Sequence, residues 1–428
     1  MRFRIAVHQR LACRLLLALE IAAFLALSVR IGRNCLASWA ADGTSAEELT
    51  RAVQLDPGNA EYHLRLARLA LYSVAEADPE LAREHLLRAS GLSPRNVQVW
   101  LELSAAFGFQ GDNEKAELFL RRADRMAPRI PAVQWVVGNF YLLQGNNNDA
   151  FKHFRVTLDG TRRYDRILFR TAWKASEDGA KILTELIPPQ INTEFAYLYY
   201  LLNENKPTEA RAVWKRIAAS PEKFDAGRAA GFVDWLLNAR MPDDAGQVWS
   251  DLINKGLIPP TYKPTAQNLI TNGNFEDDLL GAGFDWRIAK AESVEVYVDG
   301  STSHSPSHSV RVKFSGKVNA SFDRVYQHVR VEPSQKYRFQ AYLKTEGITT
   351  DSGLRLRVLD YYAPTQLLEF SENFTGTTPT WSQVWLEFKT GPTTQLVLVS
   401  LVRSPSRKLD NLIAGTAWLD DVSLTPIP

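Results

Sequence analysis

Between Val97 and Pro128 the chain reads VQVWLELSAAFGFQGDNEKAELFLRRADRMAP. Numbered from Val97, Trp100 stands at position 4, Leu103 at 7, Phe107 at 11, Gly111 at 15, Ala116 at 20, Ala123 at 27 and Pro128 at 32. Trp100, Leu103 and Phe107 fall on one face of a helix. Ala116 and Ala123 are small where a second helix must approach the first. Gly111 ends the first helix and Pro128 stops the second. The spacing recurs from Pro131, with Gly138 at 8, Tyr141 at 11, Gly145 at 15, Ala150 at 20 and Phe154 at 24. Frames from Ile191 and Ala226 put Ala210 and Ala245 at 20, and Trp214 and Trp249 at 24. Ser93-Pro94 and Ala127-Pro128 are one period apart, and Asp56-Pro57 closes an earlier unit beyond an insertion around Glu76-Ala77-Asp78. Tyr164 to Pro188 reads as a shortened, degenerate unit.

This pattern resembles the tetratricopeptide repeat, a helix–turn–helix unit that stacks on its neighbours. Continued along the chain, it predicts about six helix pairs between Ser45 and Leu257. The resemblance implies an all-α solenoid whose surface takes protein partners. Trp100, Trp135, Trp173, Trp214, Trp235 and Trp249 mostly fall in the frame and read as core. Mixed-sign runs such as Arg121-Arg122-Ala123-Asp124-Arg125 read as a solvated helix face.

Ahead of the repeats, Arg2, Arg4, Arg10 and Arg14 precede an apolar run from Leu15 to Val29. That is the layout of a signal peptide or signal anchor. An uncleaved single span is the favoured reading, with Leu11 to Ile31 inserting and Arg14 snorkelling. A cleaved signal and a buried amphipathic helix are the alternatives. Ser38-Trp39-Ala40 resembles a cleavage site but lies far beyond the apolar core. The basic tail predicts a cytoplasmic N-terminus, with everything after Arg33 outside. Cys13 and Cys35 are the only cysteines, and in a helix they would be about 33 Å apart, too far to pair. A net charge of +2 predicts no general attraction to nucleic acid.

After Gly256 the segment LIPPTYKPTAQ, with Pro259, Pro260 and Pro264, reads as a non-helical, semi-rigid linker. Then the period changes to 2. VEVYVD, VRVKF, VRVE, YRFQAYLKT, LRLRVLD, WLEFKT, LVLVSLV and TAWLDDVSL read as strands of a two-sheet antiparallel sandwich. The opening NLITNGNFEDD with Trp286, then SPSHSVRV, VYQHVRVEPSQKYRFQAYLKT, the Trp381 strand and the closing AWLDDVSL, resemble the jelly-roll carbohydrate-binding modules attached to xylanases and glucanases. The expected organisation is 1–40 basic tail and signal-anchor helix, 41–258 repeats, 259–267 linker and 268–428 sandwich.

The second resemblance implies a structural Ca²⁺ where the first and last strands meet, held by Glu276 and Asp420, with Asp421 as the alternative to Asp420. Ca²⁺ takes hard oxygen ligands, so carboxylates suit it. The alternative is that these carboxylates hydrogen-bond loop backbone. The resemblance also implies glycan binding on one sheet. Strand alternation places Tyr337, Phe339, Ala341 and Leu343 in the core, with Arg338, Gln340 and Tyr342 outward. The same logic turns Trp385 and Glu387 outward, and likewise Tyr326, His328, Arg330, Arg355 and Arg357. Rings stack on sugars and arginine forks grip carboxylates, so the set suits an anionic polysaccharide. No Ser-His-Asp signature, phosphate loop or metal-hydrolase motif is present, which argues against an enzyme. The expected protein is a bacterial inner-membrane scaffold with its bulk in the periplasm, an accessory of exopolysaccharide or O-antigen assembly. The alternative is a lectin-like or substrate-targeting subunit of a surface glycosidase.

Overall fold

The computed structural model describes residues 2–75 and 77–428, with side chains described from Ala12 onward. Arg2, Arg4 and Arg10 of the expected basic tail lie outside the described side chains, and Glu76 of the expected insertion lies outside the described residues. The chain forms two compact units, 1–193 and 194–428.

The first unit is helical. α1 (Arg2–Ala41) is one continuous helix, and α2 (Ala46–Leu55) packs on its end. Three pairs follow: α3 (Ala60–Tyr72) with α4 (Pro79–Leu92), α5 (Val97–Phe109) with α6 (Asn113–Met126), and α7 (Pro131–Leu143) with α8 (Asn147–Gly160). A shortened unit closes it, made of α9 (Asp165–Ala175), a single turn α10 (Gly179–Lys181) and a π-helical turn at Ile182–Leu186. The caps are written in the sequence. Ser45 and Glu48 form a capping box at α2, and Asn59, Asp78, Asn96, Asp112 and Asn146 each accept a backbone N–H at the start of their helix. Gly111 and Gly145 have φ of +79° and +74°, the left-handed turn that ends helices α5 and α7. Leu103, Ala116, Ala123 and Ala150 are fully buried, so the small positions lie where the paired helices touch.

α1 ends at Ala41, beside the expected boundary at residue 40. From Ala12 it is long and apolar enough to cross a membrane, and its apolar window is unburied. Yet its last turns belong to the repeat region. Ala37 and Ala41 are buried, Arg33 donates to the Leu55 carbonyl at 2.8 Å, and Arg65 of α3 caps the Ala41 carbonyl at 2.8 Å. The apolar stretch and the first contact with α2 and α3 thus share one helix, which ends at Ala41.

The second unit begins within α11 (Ile191–Asn203) and continues with α12 (Pro207–Ala219), α13 (Gly227–Asn238) and α14 (Pro242–Asn254). Two five-stranded antiparallel sheets follow. Sheet A runs in the order β1 (Arg287–Ile288), β4 (Phe322–Arg330), β9 (Leu396–Arg403), β6 (Arg355–Asp360), β7 (Leu368–Phe370). Sheet B runs β2 (Val294–Asp299), β3 (Ser309–Ser315), β10 (Ala414–Ile427), β5 (Lys336–Glu346), β8 (Ser382–Lys389). Their inner faces enclose one core that includes Trp286, Phe314, Phe322, Tyr337, Phe339, Leu356, Val399 and Leu419. Strand alternation drives this burial: β5 alternates throughout, with Tyr337, Phe339, Ala341 and Leu343 inward.

Two expectations about this unit are corrected. The segment 259–267, read as a semi-rigid linker, is not wholly non-helical. It carries a 3₁₀ turn, Pro260–Tyr262, and Tyr262 is fully buried, packed edge-on to Trp249 of α14 and donating to the Asp278 carbonyl at 2.7 Å. The ring supplies apolar area that outweighs the prolines' preference for an extended chain. NLITNGNFEDD forms no strand either. Asn272 and Phe275 have φ of +45° and +56°, and Phe275 turns back to the Asn272 carbonyl, so no ladder continues. The segment still lies along β10, with Leu269 bonded to the Leu424 carbonyl and Val422 to the Gly273 carbonyl.

Candidate functional site

The residues expected on one glycan face lie on two opposite faces. Tyr326, His328 and Arg330 come from β4 and Arg355 and Arg357 from β6, all in sheet A. Arg338, Gln340 and Tyr342 come from β5 and Trp385 and Glu387 from β8, all in sheet B. Each strand turns these side chains away from the core, so the two groups point out of opposite sides of the sandwich. They cannot form a single site. Alternation reports which face of a strand is buried, but not which sheet the strand joins.

On sheet A one row crosses all five strands: Arg287 opposite Tyr326, Tyr326 opposite Ser400, Ser400 opposite Arg357, and Arg357 opposite Phe370. Ser400 is the small residue on the central strand, and Arg357 Nε donates to its hydroxyl at 3.1 Å. The lower end of this face is covered by α13 and α14. Asp234 of α13 takes the Arg287 guanidinium and the Gly283 amide, Asp243 of α14 takes Arg330, and Tyr361 donates to Asn238 at 2.7 Å. His328 is therefore buried, not solvent-facing as expected. Its Nδ1 lies 3.0 Å from Arg287 Nη1, and since guanidinium only donates, that nitrogen accepts. Burial, then the Arg287 charge, hold its pKa down to about 3. Arg287, Tyr361 and Ser400 were not foreseen. β1 is only two residues long, too short to show alternation.

On sheet B, Tyr297 lies opposite Arg311, Arg311 opposite Trp418, and Trp418 opposite Lys344. Arg311 and Lys344 sit over the Trp418 ring at 6.0 and 5.6 Å. Trp385 is half exposed, with the Arg338 guanidinium 5.3 Å from its ring and Glu387 accepting from Arg338. His304 stacks on Tyr342 at 3.8 Å. This face offers aromatic surface on which Arg311 and Lys344 lie over rings and Arg338 is held by Glu387.

The expected Ca²⁺ ligands do not converge as a metal site. Glu276 accepts from the amides of Ser307 and His308, from the Ser307 hydroxyl, and lies 2.8 Å from His308 Nδ1. Burial pushes its pKa up, but these donors outweigh it and hold the carboxyl down at about 2. Asp420 accepts from the amides of His304, Ser305 and Asp421, and Asp421 accepts from the Ser305 hydroxyl. Every carboxylate faces N–H or O–H donors, whereas Ca²⁺ needs further oxygen acceptors around it. Among the described residues, no group of three or more His, Cys, Asp or Glu side chains is placed to hold a metal. The arrangement fits a clasp between the 304–308 loop and the strand ends, and does not fit a Ca²⁺ site.

No protein-family profile matches the sequence. No curated protein matches it. Several solved structures are similar to parts of it. The active domain of tailspike protein 4 of bacteriophage CBA120 is 16% identical, over 37% of this chain and 21% of its own, with a TM-score of 0.28. Modules of the Clostridium thermocellum endo-1,4-beta-D-xylanase 10B, complexed with xylohexaose, are 16% identical over 38% of this chain and 29% of their own, with a TM-score of 0.27. PilF of Pseudomonas aeruginosa is 18% identical over 53% of this chain and 91% of its own, with a TM-score of 0.26. The chain thus spans less than a third of the length of the first two. The architecture described above is a region of paired repeat helices followed by a two-sheet antiparallel β-sandwich.

Proposed function

We propose that this chain is a non-catalytic scaffold of a bacterial inner membrane, anchored by α1, with its bulk on the periplasmic side. The helical repeats take protein partners and the sandwich takes glycan, as an accessory of exopolysaccharide or O-antigen assembly. The observation that carries the anchor is the continuity of α1 into the repeats. Cleavage at Ser38-Trp39-Ala40 would remove the helix on which α2 packs, and with it buried Ala37 and the Arg33–Leu55 hydrogen bond. An uncleaved span keeps both, and the arginines ahead of the apolar run support a cytoplasmic N-terminus.

The test has two readouts. Alkaline phosphatase, active only when exported, is fused after Ser45. Its activity together with an intact mass that retains the N-terminal helix is the expected result. An inactive fusion overturns the topology. An N-terminus beyond Ala40 overturns the anchor.

A further inference from the structure

We propose that Arg355 and Arg357 on sheet A form a subsite for the carboxylate of an acidic sugar, a uronic acid unit of a glycan. This inference rests on the glycan-binding reading and names its ligand class. The two arginines are two residues apart on β6, and the intervening Leu356 is buried, so both point out of the same face.

What sets them apart is the lack of a contacting ion-pair partner. Arg287, Arg330 and Arg338 are each paired, with Asp234, Asp243 and Glu387. Among the described residues, Arg355 and Arg357 form no ion pair, and the Arg355 Nε is buried without a hydrogen-bond partner. Arg357 spends only its Nε, on Ser400, which leaves its terminal nitrogens for a ligand. Burial pulls the Arg357 pKa down, with only the charge of Asp323 opposing it. A half-buried guanidinium with no ion-pair contact carries a desolvation cost that a bound carboxylate offsets. Two adjacent planar forks match a carboxylate, which accepts two parallel N–H bonds.

The surroundings fit a sugar ring rather than a lone anion. Phe370 lies beside the pair, with the Arg355 guanidinium 5.6 Å from its ring. Tyr326 stands on the far side of Ser400 in the same row. Three strand spacings separate the two rings, roughly 14 Å, with the small Ser400 as the floor between Tyr326 and Arg357. Sheet B has more aromatic surface but no such arginine pair, because Arg338 is held by Glu387 and Arg311 has no second arginine on its strand.

The experiment titrates the whole chain in detergent with three tetrasaccharides: a galacturonate, a neutral xylose tetramer and a sulfated galactan fragment. The galacturonate is expected to bind, and more weakly at high salt. Arg355→Gln with Arg357→Gln is expected to lower its affinity about tenfold or more, at unchanged melting temperature. Arg357→Lys, which keeps charge and loses the fork, is expected to fall between the double variant and the native chain. Arg338→Gln on sheet B is expected to leave binding unchanged. Neutral xylan binding as tight as the uronate, or a double variant as tight as the native chain, overturns this inference and leaves glycan binding standing. A sulfated fragment that binds as tightly as the uronate overturns the carboxylate assignment. Failure of all three saccharides to bind overturns the glycan reading itself.

Discussion

Gly138 of α7 lies directly against the ring of Phe154 on α8, so that a Cβ on the glycine would overlap the ring. Position 8 of one helix is thus empty because position 24 of its partner fills it. Gly138→Ala is expected to destabilise the chain by about 1–3 kcal/mol, since neither helix can withdraw from its neighbours. Gly108 of α5 is the control. A Cβ there meets only the Ala116 methyl, at 3.9 Å. Gly108→Ala is expected to raise stability by about 0.5–1 kcal/mol through helix propensity. Thermal melts of the two variants read the opposite signs, and equal effects would place the helix contact elsewhere.

Arg287 and Asp234 join sheet A to α13. The arginine side chain is 13% exposed, and Asp234 also accepts from the Gly283 amide at 2.8 Å. Asp234→Ala leaves a mostly buried guanidinium and an amide without an acceptor. Partial exposure of Asp234 discounts the loss to about 2 kcal/mol. Hydrogen exchange should rise first around 283–288 rather than in the sandwich core. Unchanged exchange there would show that the helices are held by other contacts.

Two buried groups give opposite acid responses. Burial raises the Asp285 pKa to about 6, so the stability it contributes is full below the ordinary carboxylate value and is lost as pH rises towards 6. His328 is held down at about 3, so its contribution is full above about 6.5 and is lost as pH falls towards 3. Between about pH 4 and 6 the two oppose each other. Asp285→Asn is expected to make melting temperature fall more steeply with acid over that window, and His328→Gln to make it rise. Parallel pH profiles for the native chain and both variants would refute the assignment.

The Glu276 clasp gives a metal prediction. Because its oxygens already accept from Ser307 and His308, the melting temperature of the whole chain is expected to be the same with Ca²⁺ and with chelator. Glu276→Ala is expected to cost about 0.5–1.5 kcal/mol, because water can replace part of the lost hydrogen bonding at this partly exposed clasp. A Ca²⁺-dependent rise in the native chain that Asp420→Ala abolishes would instead establish the metal.

The repeats were legible because their signal is local. A 34-residue frame puts small residues at helix contacts, and Ala116, Ala123, Ala150, Ala210 and Ala245 are all fully buried. The strand faces were equally plain, since alternation in β5 and β8 marks inside and outside. What the chain order hides is which strands become neighbours. β5 and β6 are consecutive yet lie in different sheets, so Tyr342 and Arg357 look adjacent in sequence logic and face opposite ways in space. The burial of Tyr262 was hidden for a related reason. Its partner Trp249 was read as repeat core, and three prolines nearby suggested a semi-rigid, non-helical linker.

The unbroken helix α1 has a geometric consequence in the membrane-anchored reading. The apolar run ends at Val29, and the turns that pack on α2 begin at Arg33. Four residues of helix rise roughly 6 Å. The first helix pair would then stand at the lipid headgroups on a stiff post, with no slack to lift it away. A partner of those first helices would have to be a membrane protein or one already lying on the bilayer, because a large soluble particle could not fit beneath them.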